Sequence, residues 1–167
     1  MVFHKKSKSE TKKPAYVLEM ESAYGAPSQD GFGSAVFFEL VEPDDSLETA
    51  VLEKYKFYVG EPWDRFGEEA WLSQWRKVYT RAPEAEHEIV AELKSISDRD
   101  TANSVPMILS VVKDAESAKL ALSNTYDDKD VVDLEVYNLG DGGAMSGLLV
   151  AGRRKNNEAT FLVFLMD

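Results

Sequence analysis

Acid–base or nucleophilic work needs a nucleophile, a base and an orienting group, and this chain offers few of each. It has two histidines, His4 and His87, and no cysteine. His87 stands between Glu86 and Glu88, with no second histidine to build a metal site and no candidate serine nucleophile beside it, and reads as a surface residue. No serine sits in a G-x-S-x-G elbow. Neither a phosphate-cradling G-x-x-x-x-G-K-[ST] loop nor a G-x-G-x-x-G run occurs. The acid pairs Asp44-Asp45, Glu68-Glu69 and Asp127-Asp128 read as solvent-facing charges and caps, since none has the spacing of a calcium loop. These patterns assign no catalytic residue, no metal ligand and no cofactor.

Two constellations remain. Four glycines fall in the eight residues Gly140–Gly147. Glycine permits positive φ or the close approach of another group, so the run reads first as a bend or bulged connection between strands. As a ligand loop it would present Asp141, Gly142, Gly143 and Ser146, with Arg153 on the following strand adding charge; no helix follows to reinforce a phosphate site. The second is aromatic. Tyr55 to Tyr79 holds eight aromatic residues, and all three tryptophans lie within thirteen positions. Most of these belong in a core. Trp63 and Phe66 are expected to fall outside the buried stripe and to serve as exposed anchors of a partner-binding face, a role for which tryptophan and other aromatics are suited.

The charge is strongly negative, −11 over 167 residues, and unevenly placed. Residues 1–13 carry five lysines and one acid, leaving 14 basic and 29 acidic side chains in the remainder. Residues 1–14 read as a disordered basic tail before a single domain at 15–167. A domain this acidic repels phosphate backbones, which argues against nucleic acid and for a basic protein surface as partner. No apolar run reaches the ~20 residues of a membrane span, and no apolar segment follows the N-terminal lysines as in a secretory signal. A reducing, cytoplasmic setting fits the lack of cysteine.

The elements that must position these groups follow from hydrophobic periodicity. Alternation at Tyr16, Leu18 and Met20 predicts a strand over 15–22, paired with a second over 34–41. Asp45 and Glu48 resemble a capping box for a helix carrying Leu47, Val51, Tyr55 and Tyr58. The stripe Trp71, Leu72, Trp75, Val78, Tyr79 predicts one helix from Asp64 to Arg81. A third helix carries Ile89, Leu93 and Ile96. A loop is expected over 97–104, a strand over Pro106–Val112, a helix over 114–124 and a strand around Val132–Val136, making a β-α-β unit. Strands over Met145–Arg153 and Ala159–Met166 close the chain around an Asn-rich turn. The second of these is apolar on both sides, the mark of a central strand. The class expected is α+β: one mixed or mostly antiparallel sheet, helices packed on one face, and the C-terminal β-hairpin central. The function expected is a non-catalytic, cytoplasmic protein-binding role of adaptor, regulatory or immunity type, docking a basic or mixed-charge protein surface. The alternative is a small-molecule-binding domain or small enzyme at the loop 140–147.

Overall fold

A computed structural model of the chain describes residues 12–110 and 114–167. The elements run α1 (Ala15–Tyr24), β1 (Gly33–Leu40), α2 (Leu47–Val59), α3 (Glu61–Phe66), α4 (Glu68–Leu72), β2 (Arg76–Thr80), α5 (Ile89–Lys94), α6 (Arg99–Ser110), α7 (Ala115–Tyr126), β3 (Val131–Gly140), β4 (Ser146–Arg154) and β5 (Glu158–Met166). The five strands form one wholly antiparallel sheet in the order β1-β5-β4-β3-β2. The class is α+β, and the β4–β5 hairpin occupies the middle of the sheet as its apolar sequence requires. Asn157 turns that hairpin at φ 75, a conformation asparagine tolerates.

The helices do not share one face. Along β4 and β5, Leu148, Val150, Leu162 and Phe164 join a cluster with α1, α5, α6 and α7. Their neighbours Leu149, Ala151, Phe161 and Val163 join a separate cluster with α2, α3 and α4. Side chains alternate across a strand, so a hairpin with runs of consecutive apolar residues, Leu148–Ala151 and Phe161–Leu165, has two oily faces, and each needs its own helical cover. The single helical layer expected from the sequence is therefore replaced by two.

Four local expectations also change. Residues 15–22 are helical: Val17, Met20 and Tyr24 are buried at helical spacing, while Leu18 is 53% exposed. The long helix expected over 64–81 is broken at Gly67, whose φ of 91 ends α3. The chain then makes one more helical turn and enters strand β2. The loop at 97–104 and the strand from Pro106 are one helix, α6. Its N–H of Thr101 donates to the Asp98 carboxylate at 3.1 Å, and its buried side is Thr101, Ser104, Val105, Ile108 and Leu109. That spacing is helical, but two of the five residues are hydroxylic and hide the stripe. No β-α-β unit forms, because its first strand is this helix; residues 111 and 112 lie outside the described residues. So do residues 1–11 of the basic tail, whereas Lys13 pairs with Glu21. Among the described residues no helix is long and apolar enough to cross a membrane.

Strand β5 bonds to β1 on one side and β4 on the other, and seven of its nine side chains are buried. Each fully buried large apolar side chain there contributes roughly 1.5–3 kcal/mol. Deleting residues 159–167 is expected to abolish cooperative thermal unfolding. A truncated chain with an unchanged Tm would contradict this.

Candidate functional site

The aromatic cluster is organised by Tyr55. Its ring stacks on Trp75 and meets the edges of Trp63 and Trp71. Its hydroxyl donates to the Trp71 carbonyl at 2.7 Å and accepts from the Gly140 N–H at 3.2 Å. Trp75 is sandwiched between Tyr55 and Tyr137. Trp63 stacks on Trp71 and is only 3% exposed. The sequence expectation that Trp63 is an exposed anchor is thus overturned: breaking the long helix at Gly67 folds α3 and α4 back on each other, and Trp63 turns inward. Phe66 stays outside, 62% exposed, with the Arg65 guanidinium 4.9 Å from its ring centre.

The glycine-rich connection does gather Asp141, Gly142, Gly143 and Ser146 at one end of the β3–β4 hairpin. The Asp141 carboxylate accepts from the N–H groups of Gly143 and Met145, at 2.8 and 3.1 Å, so it is spent on the turn. Gly142 has φ 79 and lies against Ser73. At Gly147 a β-carbon would fall 1.7 Å from the Phe164 carbonyl oxygen, so only glycine lets β4 and β5 approach there. Arg153 is not part of this loop. It sits seven residues along β4, roughly 23 Å away at strand rise. There it pairs with Asp133 at 2.8 Å and donates to the carbonyls of Glu42 and Asp45 at 2.9 and 3.0 Å.

Arg153 thereby fixes the loop that leads into α2, and this loop opens onto the most distinctive surface of the molecule. Ser46, rather than Asp45, caps α2, accepting from the Thr49 N–H. That leaves Glu42, Asp44 and Asp45 exposed. A groove of about 250 Å³ runs beside the first half of α2, lined by Glu39, Leu40, Asp45, Thr49 and Glu53 among others. A second of about 470 Å³ follows its second half, lined by Glu53, Lys56, Phe57, Glu61, Trp63 and Asp64 among others. Glu53 belongs to both, so the two read as one surface. Phe57 is 47% exposed and packs edge-on against Phe37. It stands where Trp63 was expected to stand. The signal was present in the sequence, since Phe57 lies off the stripe Leu47, Val51, Tyr55, Tyr58. A larger groove of about 800 Å³ between α1 and α7 is lined by Glu19, Ser22, Ala23, Asp114, Glu116 and Leu120 among others, and among the described residues it has no aromatic or cationic group.

Sequence reasoning also missed a buried ion pair. Arg81 donates from Nε and one terminal nitrogen to both Glu92 oxygens, at 2.8 and 2.6 Å, and from the other to the Tyr126 carbonyl at 2.9 Å. Tyr79 adds a 2.6 Å bond to Glu92. Burial alone would raise the Glu92 carboxyl, but the bonds from Arg81 and Tyr79 outweigh it and hold it below the ordinary carboxylate range. Burial and the Glu92 bond push Tyr79 up to about 12. Asp127, 3.6 Å from the same guanidinium, is instead raised by burial. The pair joins β2 to α5 and α7 and is fully occupied by its own partners, so it is a structural device. Among the described residues no cluster of three or more His, Cys, Asp or Glu could hold a metal ion.

Two measurements check these assignments. Trp63→Ala should cost about 3–5 kcal/mol of stability, as for other buried aromatics, and Phe66→Ala less than about 1 kcal/mol. Equal losses would reverse the burial argument. Glu92→Gln should destabilise by about 3 kcal/mol at neutral pH by leaving the Arg81 charge uncompensated. Because the folded carboxyl titrates below its unfolded value, its stabilisation is full above the ordinary carboxylate range and disappears as pH falls through the folded value. The gap between wild type and Glu92→Gln in chemical denaturation should therefore close in acid; a gap independent of pH would show that charge is not the cause.

The surface along α2 must be read from its own residues, because no protein family, curated protein or solved structure compared with the chain matches it.

Proposed function

We propose that the protein is a non-catalytic, cytoplasmic protein-binding module of adaptor, regulatory or immunity type, docking a basic protein surface through the face of α2. The observation that carries this reading is the pairing of an exposed aromatic, Phe57, with a groove whose acids outnumber its cations. Glu53, Asp45 and Asp64 have no ion-pair partner among the described residues. Such a surface combines an apolar anchor with a charged rim, the arrangement that gives protein interfaces both affinity and steering. The overall charge of −11 acts in the same direction and disfavours nucleic acid as the partner.

The reading is tested by capture from native lysate at low and high salt, comparing the wild type with Phe57→Ala and with a double variant, Asp45→Lys and Glu53→Lys. Asp45 and Glu53 are exposed and Phe57 is half-exposed, so the fold should be retained. The expected result is a stoichiometric partner bound by wild type and lost from both variants. Association with the purified partner should slow by about tenfold or more between low and physiological salt. A partner whose association rate ignores ionic strength, or that binds the double variant equally well, would overturn the proposal.

A further inference from the structure

Strand β1 is an edge of the sheet, and its two halves are finished differently. In an antiparallel pair, alternate residues direct their backbone groups toward and away from the partner strand. The Val36 N–H points away from β5 and donates to the Gly25 carbonyl at 2.9 Å, whereas the Val41 N–H points inward to the Asn157 carbonyl at 2.8 Å. The even-numbered residues of β1 therefore face outward. The chain leaving α1 closes this edge at Val36. Beyond it, the outward N–H and C=O of Phe38 and the N–H of Leu40 have no partner among the described residues. Leu40 is 51% exposed, and the smaller of the two α2 grooves lies alongside.

The opposite edge, β2, is built to refuse a neighbour. It has five residues, a register shift between Lys77 and Tyr79, and the cations Arg76 and Lys77, the devices that blunt an exposed strand. At the open half of β1 the surrounding charge is acidic instead. Glu39 is neutralised by Lys54 at 2.7 Å, while Glu42, Asp45 and Glu53 have no ion-pair partner among the described residues. A second copy would bring the same acids against these, and an acidic segment would be repelled.

We propose that the open half of β1, Phe38–Leu40, accepts an extended basic segment of the partner protein as an added strand, its backbone bonding to Phe38 and Leu40 and its lysines or arginines facing Glu42, Asp45 and Glu53. Strand addition takes affinity from main-chain bonds and specificity from the flanking side chains. The inference rests on the protein-binding reading above and names how that partner is held.

The probe is a capped decapeptide of alternating lysine and valine, titrated into the full-length protein and followed by NMR and amide hydrogen exchange. Its comparison is the same peptide N-methylated at alternate backbone nitrogens, in both registers, which keeps every charge. The expected result is new protection of the Phe38 and Leu40 amides and a loss of about tenfold or more in affinity for one N-methylated register, since each such bond is cut while the charges stay. Leu40→Pro removes only an outward N–H and is tolerated at a sheet edge; it should weaken binding, whereas Leu40→Thr should not. Replacing Lys5, Lys6 and Lys8 by Gln should leave the peptide's affinity unchanged; a large gain would give the edge to the chain's own lysines and overturn the proposal. Equal binding of all three peptides would overturn strand addition and leave charge-driven docking standing. Absence of binding by any of them would overturn strand addition as well, and salt-sensitive capture of a native partner would then decide the protein-binding reading separately.

Discussion

The two-sided burial of the β4–β5 hairpin is the constraint from which the rest of the architecture follows. Phe161, Val163 and Leu165 point to one side of the sheet and Leu162 and Phe164 to the other, all of them essentially dry. Leaving either face in water would forfeit several large side chains' worth of burial, each roughly 1.5–3 kcal/mol. The chain supplies two helical layers in answer. One is assembled from α1 together with α5, α6 and α7, and the other from the contiguous run α2 to α4. Because α1 is separated in sequence from the helices it joins, β1 is carried to the far side of β5. The same connection lays Gly25 across the first half of that edge.

The second layer is thin, and aromatic side chains make up the difference. Helices α3 and α4 are short, with six and five residues, too short to be stable by themselves. They are held because Trp63, Trp71 and Trp75 converge on Tyr55 and because the Trp71 indole N–H donates to the Pro62 carbonyl at 3.1 Å. Drawing three tryptophans inward leaves Phe57 and Phe66, with Phe32 at the end of α2, among the exposed aromatics of this side. The glycine-rich connection serves the same arrangement: the Gly140 backbone bonds to the Tyr55 hydroxyl, and Gly142 lies on Ser73, just beyond α4.

Where the apolar pattern was strong, the fold was legible. The strand at Gly33–Leu40, the helix bearing Val51 and Tyr55, the helix ending at Tyr126, and the last three strands all follow from periodicity, as does the central position of the hairpin. What was lost was lost for identifiable reasons. In α1, Leu18 is apolar but exposed, which turns a helical spacing into an apparent alternation. In α6, Thr101 and Ser104 fill buried positions, and Thr101 donates to the buried Asn138 side chain at 2.8 Å. Pro106 lies inside the helix on its exposed side, and a proline there reads as a helix breaker because it cannot donate to the carbonyl four residues back. Gly67 divides what periodicity joined. The sequence singles out Trp63 and Phe66 as exposed aromatics; Phe66 is exposed, but Trp63 is in the core and Phe57, which the sequence reading does not single out, is at the surface. Arg81 and Glu92, eleven residues apart across a turn, carry no local pattern at all; only the tertiary fold pairs them.

The acidity of the molecule reads in two ways, as solubility and as attraction, and the two finished edges of the sheet bring them together. An exposed strand edge invites pairing with another copy unless something prevents it. On β2 the prevention is local: shortness, a bulge and cations held in place, Arg76 by Asp98 and Asp100 at 2.7 and 2.9 Å. On β1, among the described residues, no such device closes the second half, and acids stand beside it instead. The unpaired acids Glu42, Asp45 and Glu53 flank this edge, so two copies of it would bring like charges together and resist meeting. The same field favours a strand carrying lysine or arginine. On the strand-addition proposal, the charge that guards the edge against its own kind would also select a basic partner strand, so that one set of carboxylates would serve both ends.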